Sequence, residues 1–195
     1  MRIVRAAREA EVVAAFLRAE LESPRWGARL QAFLDEDARD AAVLQDPGAD
    51  AYRAELLDRH RGWLRRQGLF AGLPTELEWS LAALPPDEVL AIRYINWDWW
   101  LTASGGSRRP EDAAGRIRRG EIPGVTVAEH EPIAAQLAAP DAPELIAVGP
   151  PDFGSLVLLE GHARLTAAAL FPDRLLPELD LFVGASSDIQ RWSEF

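Results

Sequence analysis

The sequence predicts an α+β protein, with a mostly helical N-terminal region packed on a small C-terminal α/β unit. Apolar residues recur at helical spacing through the first hundred positions. After Pro123-Gly124, short apolar runs of strand length take over, with one alanine-rich helical run between two of them. No Pro/Ser-rich linker separates the two parts. The expected organisation is therefore a helical region at 1–120 and an α/β unit at 121–195, forming one body.

Each element has its own warrant. Val12, Val13, Phe16, Leu17 and Leu21 make one helical stripe that Ser23-Pro24 ends, and Trp26, Leu30, Phe33 and Leu34 continue in a second helix. Tyr52, Leu56, His60 and Trp63 mark a helix at about 50–66. Past the breaks at Gly68 and Gly72-Leu73-Pro74, the spacing of Leu77, Leu81 and Leu84 predicts a shorter helix. Pro85-Pro86-Asp87-Glu88 opens another, with acids at its positive end. The run VLAIRYINWDWWLTA is apolar on nearly all sides, which predicts a central helix stopped by Gly105-Gly106. Residues 110–120 carry full helix punctuation, from Pro110, Glu111 and Asp112 to Arg116, Arg118, Arg119 and Gly120. A helix at 128–138 follows, then strands at ELIAVG (144–149) and LVLLE (156–160), a helix at HARLTAAALF and a strand at ELDLFVG (178–184).

Composition excludes several chemistries. The chain has 195 residues, 48% apolar and 27% charged, the balance of an ordinary globular protein with a real core. With no cysteine, disulfides, thiolate catalysis and cysteine-ligated metals are out. All 21 basic residues are arginine, so a P-loop lysine, a Schiff-base lysine and a lysine general base are also out. Residues 121–195 hold twelve acids against Arg164, Arg174 and Arg191, a poor surface for a phosphate backbone. Arg2, Arg5, Arg8, Glu9 and Glu11 interrupt any signal-like apolar run. No stretch reaches the roughly 18–20 apolar residues that span a bilayer. The expectation is a cytoplasmic protein with no membrane partner, and nucleic acid is an unlikely one.

The most informative stretch is LVLLEGHARLTAAAL, residues 156–170. If LVLLE is a central strand, Gly161 marks a tight strand-to-helix turn where a ligand can approach the backbone. The helix start offers N–H groups and positive partial charge to an anion, and Arg164 adds a bidentate donor in the first turn. Glu160 ends the strand, where it could act as a base or bridge a metal to phosphate. His162 and Thr166 share a helix face. The bland alternative is a surface acid, a cap-region histidine and an ordinary exposed arginine.

The segment LEGHARLTAAAL resembles the strand-turn-helix signature of the ParB/sulfiredoxin-like superfamily. It is similar, more closely still, to an uncharacterised bacterial family with an EGHARLTA-type motif near the C-terminus. YINWDWWLTASGGSRRPEDAA and IQRWSEF extend that likeness over most of the chain. The superfamily likeness covers about 120–185. It implies nucleotide or phosphate binding at this turn, with Gly161, His162 and Arg164 as the phosphate cradle and Glu160 as a catalytic acid like that of the serine kinases. The chain departs from sulfiredoxin in having no cysteine, and from partition proteins in its acidity and the absence of an evident helix-turn-helix.

A second candidate is Tyr94-Ile95-Asn96-Trp97-Asp98-Trp99-Trp100. Its bland reading is a core helix whose indole N–H groups find partners. The sharper one makes Asn96, Trp97 and Asp98 part of a pocket for a planar or sugar-like ligand, with Asp98 a general acid raised by burial. In Ser104-Gly105-Gly106-Ser107-Arg108-Arg109, a loop that ends a helix or contacts phosphate, Arg108 is the candidate ligand-binding residue, because the similar proteins carry an arginine there. His60 sits on an apolar stripe, His130 lies between two acids, and no histidine spacing points to a metal site.

Two functions remain in play. One is an enzyme that binds a nucleotide or phosphorylated small molecule at 160–164 and carries out phosphoryl transfer or hydrolysis, with Mg²⁺ entering alongside a nucleotide. The other is a non-catalytic nucleotide or small-molecule sensor, or a partner-binding module. DNA partition is disfavoured.

Overall fold

The computed structural model describes residues 1–139 and 145–195. In chain order it contains β1 (Arg2–Ala6), α1 (Glu9–Leu21), α2 (Gly27–Glu36), α3 (Asp50–Arg61), β2 (Glu78–Leu84), α4 (Pro86–Ala91) and α5 (Asp98–Ser104). It continues with α6 (Pro110–Arg118), α7 (Val127–Leu137), β3 (Leu145–Gly149), β4 (Val157–Glu160), α8 (His162–Leu170) and β5 (Leu179–Ala185). The protein is α+β, as the sequence predicts. Glu144, expected to start the first C-terminal strand, lies outside the described residues. No helix among the described residues is long and apolar enough to cross a membrane.

The chain divides into two compact units, Ala7–Leu73 and Met1–Ala6 together with Pro74–Phe195. The second takes in α4, α5 and α6, elements assigned by sequence to the helical region at 1–120.

The smaller unit packs α1, α2 and α3 around Phe16, Leu30, Leu34, Leu56 and Phe70. Trp63 and Phe70 meet edge to face, 4.8 Å between centroids. His60, on its apolar stripe, is a core residue: its Nε2 lies 2.9 Å from Oε2 of the buried Glu20, whose other oxygen accepts from Arg61.

The larger unit is built on a five-stranded sheet of order β1-β2-β5-β3-β4. Among these five strands the β3–β5 pairing is parallel and the others are antiparallel. Helices α4, α6, α7 and α8 pack in one apolar cluster with inward residues of four strands, among them Ala82, Leu158 and Leu181. Alanines 167 to 169 give α8 a surface that neighbouring helices approach closely.

Two expected helices are strands or extended chain. Leu77, Leu81 and Leu84 have helical spacing, yet residues 78–84 form β2, hydrogen-bonded to β1 on one side and β5 on the other. Three apolar positions do not distinguish an amphipathic helix from a strand buried by both neighbours. The predicted central helix at 89–103 breaks after Ala91. There Arg93 N–H donates to Leu156 O at 2.9 Å, and its carbonyl accepts from Leu158 N–H at 2.8 Å. Arg93 thus bridges to β4, and residues 94–97 continue as extended chain, with Tyr94 N–H donating to Arg108 O and Asn96 N–H to Glu194 O, until α5 begins at Asp98. All-round apolarity is equally the mark of a buried extended segment.

One sheet contact constrains side-chain size sharply. Trp79 pairs with Gly184 across β2 and β5, and a Cβ at Gly184 would stand 2.8 Å from the indole Cζ3. Gly184→Ala is expected to lower unfolding free energy by about 1–3 kcal/mol through overpacking, measured by denaturant titration.

Candidate functional site

The turn that joins β4 to α8 forms the core of the site. Gly161 holds φ +102° and ψ 24°, the left-handed region, and is the N-cap of α8. A Cβ here would lie 2.4 Å from Leu145 Cδ2 and 3.2 Å from Arg164 Nη2. Glycine is thus required by conformation and by space. It also lets the Arg164 side chain fold back over the turn.

Arg164 is only 8% exposed, and its Nη2 donates to Glu160 Oε1 at 3.3 Å. A charge-assisted bond of this kind is normally about 2.7–2.9 Å, so the pair is loose. Its placement is electrostatically awkward, since a cation in the first turn faces the positive end of the helix dipole. Glu160 supplies the compensating charge. The expected phosphate contact, Arg164, and the expected acid, Glu160, are therefore brought together, with Arg164 buried rather than exposed; but β4 is the last strand in the sheet order, not a central one. The segment around Arg93 lines its outer side.

His162 and Thr166 share a helix face as their spacing requires, and Thr166 Oγ1 donates to the His162 carbonyl at 2.9 Å. With that hydrogen committed, the contact of 2.7 Å between Tyr94 Oη and Thr166 Oγ1 has the tyrosine as donor. Tyr94 is fully buried, and burial pushes its phenol well above the usual range, with the Thr166 contact opposing. The Trp100 indole lies nearly parallel to both His162 and Tyr94, with centroids 4.8 and 4.3 Å away. Trp99, 49% exposed, meets Trp100 edge to face at 4.3 Å. Tyr94, Trp100 and Thr166 are the neighbours of this turn that sequence reasoning did not assign. The signal available was the aromatic density of YINWDWW, but the break in the presumed helix decides which rings face the turn.

The remaining predicted residues are placed otherwise. Arg108 does not reach the turn. Its Nε donates to Tyr94 O at 2.7 Å, Nη1 to Phe195 O at 2.6 Å and Nη2 to Glu194 O at 2.7 Å. Burial, then the nearby charge of Arg93, lowers its pKa below the ordinary value, and Glu194 opposes this. Asn96 joins the same clamp, its N–H donating to Glu194 O at 3.1 Å and its Nδ2 to Ser193 O at 3.3 Å. Both residues hold residues 193–195 in place of a ligand. Trp97 is the half-buried N-cap of α5. Asp98 is exposed at the start of that helix, where an acid suits the dipole. It is not enclosed by indoles, which removes the reason for making it a general acid. Gly105 and Gly106, both at positive φ, end α5, so this loop is a helix terminus.

Among the described residues, no three or more His, Asp or Glu side chains are grouped to hold a metal ion. A magnesium ion arriving with a nucleotide would be held through phosphate oxygens and, at this turn, the Glu160 carboxylate. No family model, curated protein or solved structure matches the chain.

The clamp gives a direct expectation. Arg108→Met removes three donors to backbone carbonyls and is expected to cost about 2–4 kcal/mol. Hydrogen exchange should then show loss of protection at residues 94–97 and 193–195 before any loss in β5.

Proposed function

We propose that the chain binds a nucleotide or phosphorylated small molecule at the Glu160–Arg164 turn and acts on it by phosphoryl transfer or hydrolysis. This is the activity implied by the resemblance to the ParB/sulfiredoxin-like superfamily. The supporting observation is the buried Arg164 guanidinium, held over a left-handed glycine at a helix N-terminus by one loose carboxylate contact of 3.3 Å. Stability alone disfavours a cation there. A phosphoryl oxygen, by contrast, gains from both the guanidinium and the helix start.

The chemistry follows from exchange of partners. A phosphate that takes the Arg164 donors stands beside the Glu160 carboxylate. From there the carboxylate can accept a proton from an attacking hydroxyl or water, or share a magnesium ion with the phosphate. Trp99 and Trp100 stand near His162 as apolar rings for the rest of the ligand.

A sensor is the second reading, and one observation favours it. Of the two predicted acids, only Glu160 lies at the turn, while Asp98 is exposed at the start of α5. A single acid serves ligand-gated rearrangement as well as it serves catalysis.

Thermal-shift titration with nucleoside triphosphates, sugar phosphates and inorganic phosphate, with and without Mg²⁺, tests the site. Arg164→Met should abolish every ligand-induced shift. Glu160→Gln should retain or strengthen binding, since it removes a competing anion, and should abolish any phosphate release seen with the wild type. Ligand shifts that persist in Arg164→Met would sink the proposal. Binding by the wild type with no turnover would select the sensor.

A further inference from the structure

In the smaller unit, the turn that follows α3 puts an arginine where the backbone favours glycine. Gln67 N–H donates to Gly62 O at 2.9 Å and Arg66 N–H to Trp63 O at 3.3 Å, the paired bonds of a Schellman motif. The left-handed residue of that motif is usually glycine, and here it is Arg66, at φ +49°. A side chain in this conformation carries a steric cost.

The cost secures the position of the guanidinium. Its Cζ lies 4.3 Å from the centroid of the Trp63 ring. That indole is 1% exposed, held edge to face by Phe70 and by an N–H bond of 3.0 Å to Glu9 Oε1. The cation is therefore stacked on a fixed plane. Its donors are nevertheless unused. Nη1 is buried with no hydrogen-bond partner, and among the described residues no carboxylate comes within ion-pair distance of the guanidinium. The neighbouring arginines differ: Arg61 pairs with Glu20 at 2.9 Å and Arg65 with Asp58 at 2.7 Å. Burial lowers the Arg66 pKa below the ordinary value, and the more distant charge of Glu9 opposes this.

An orphaned buried donor and an uncompensated, half-buried cation both cost stability, and an oxyanion relieves both. We propose that Arg66 anchors a binding site for a small carboxylate. A carboxylate presents two coplanar oxygens and one negative charge, which match one guanidinium fork and one free cation. A phosphate dianion would leave excess negative charge near Glu9, since Arg65 is already spent on Asp58.

Nuclear magnetic resonance of the ¹⁵N-labelled full chain tests the site through the Arg66 Nε–H signal, assigned by its loss in Arg66→Lys. Acetate titrated against chloride at constant ionic strength should shift that signal to saturation with a Kd of about 1–10 mM. Phosphate should bind more weakly, and chloride should leave the signal unmoved. In Arg66→Lys, followed at the Trp63 indole N–H, loss of the fork should weaken acetate about tenfold. Arg164→Met should bind acetate at this signal as the wild type does. Arg66→Gly suits the backbone, and should melt no lower than the wild type while losing its acetate response. No saturable acetate shift, an equal response to chloride, or tighter binding of phosphate would each overturn the proposal. A lower melting temperature in Arg66→Gly would overturn it too, by giving the arginine a purely structural role.

Discussion

β5 pairs with β2 along seven residues and with β3 along five, and it stands between the two halves of the sheet. The strands on one side, β1 and β2, come from residues before 85; those on the other, β3 and β4, follow residue 144. Among the described residues no other strand pairing joins them, so the sheet closes when the late segment β5 inserts at its centre. Such pairing is non-local and burdens folding with loop-closure entropy before it gives any return. The residues after β5 extend the same dependence. Ser193, Glu194 and Phe195 give their carbonyls to Asn96 and Arg108, and Arg108 also holds the Tyr94 carbonyl. The chain that centres the sheet thereby fixes the extended segment from which Tyr94 reaches Thr166 and on which α5 sets Trp100 against His162.

The ion pair at the 160–164 turn is poorly placed as a source of stability. Replacing such a pair with apolar residues is often neutral or stabilising, because desolvation offsets the attraction. Here the pair also has the helix dipole against its cation and a contact longer than a strong one. Arg164 lies against a glycine that tolerates no Cβ, so the turn leaves room for the guanidinium beside Glu160.

Much of the fold was legible in the residues, and the failures share one cause. Helices with end signals, such as α6 with Pro110 and its terminal arginines or α7 with the Thr126–Glu129 capping box, lie close to where the sequence predicts them. The three C-terminal strands do too, with Glu144 alone outside the described residues. β1 and β2 were missed because their identity rests on partners far away in sequence, and residues 92–97 because their hydrogen bonds go to Leu156, Leu158 and Arg108. At the turn, local signals sufficed: Gly161 needs a left-handed backbone, and Arg164 follows at a spacing that returns it to Glu160. Asn96, Trp97, Asp98 and Arg108 were grouped as a site through an assumed helix. With the helix broken, Asn96 and Arg108 hold backbone, Trp97 caps α5, and Asp98 faces solvent.

β4 has a different neighbour at each end. Leu156, just before it, borders a cavity, and Glu160 at its other end pairs with Arg164. At about 3.3 Å per residue these points are about 13 Å apart, beyond a Debye length of roughly 8 Å at physiological ionic strength. Charges at one end therefore act only weakly on the other. Acidic residues border one end, and a buried guanidinium paired with Glu160 lies at the other. Both are rigidly linked through a strand whose residues Val157 to Leu159 are fully buried and which Arg93 staples from outside. The strand cannot shift without breaking the Arg93 hydrogen bonds to Leu156 and Leu158.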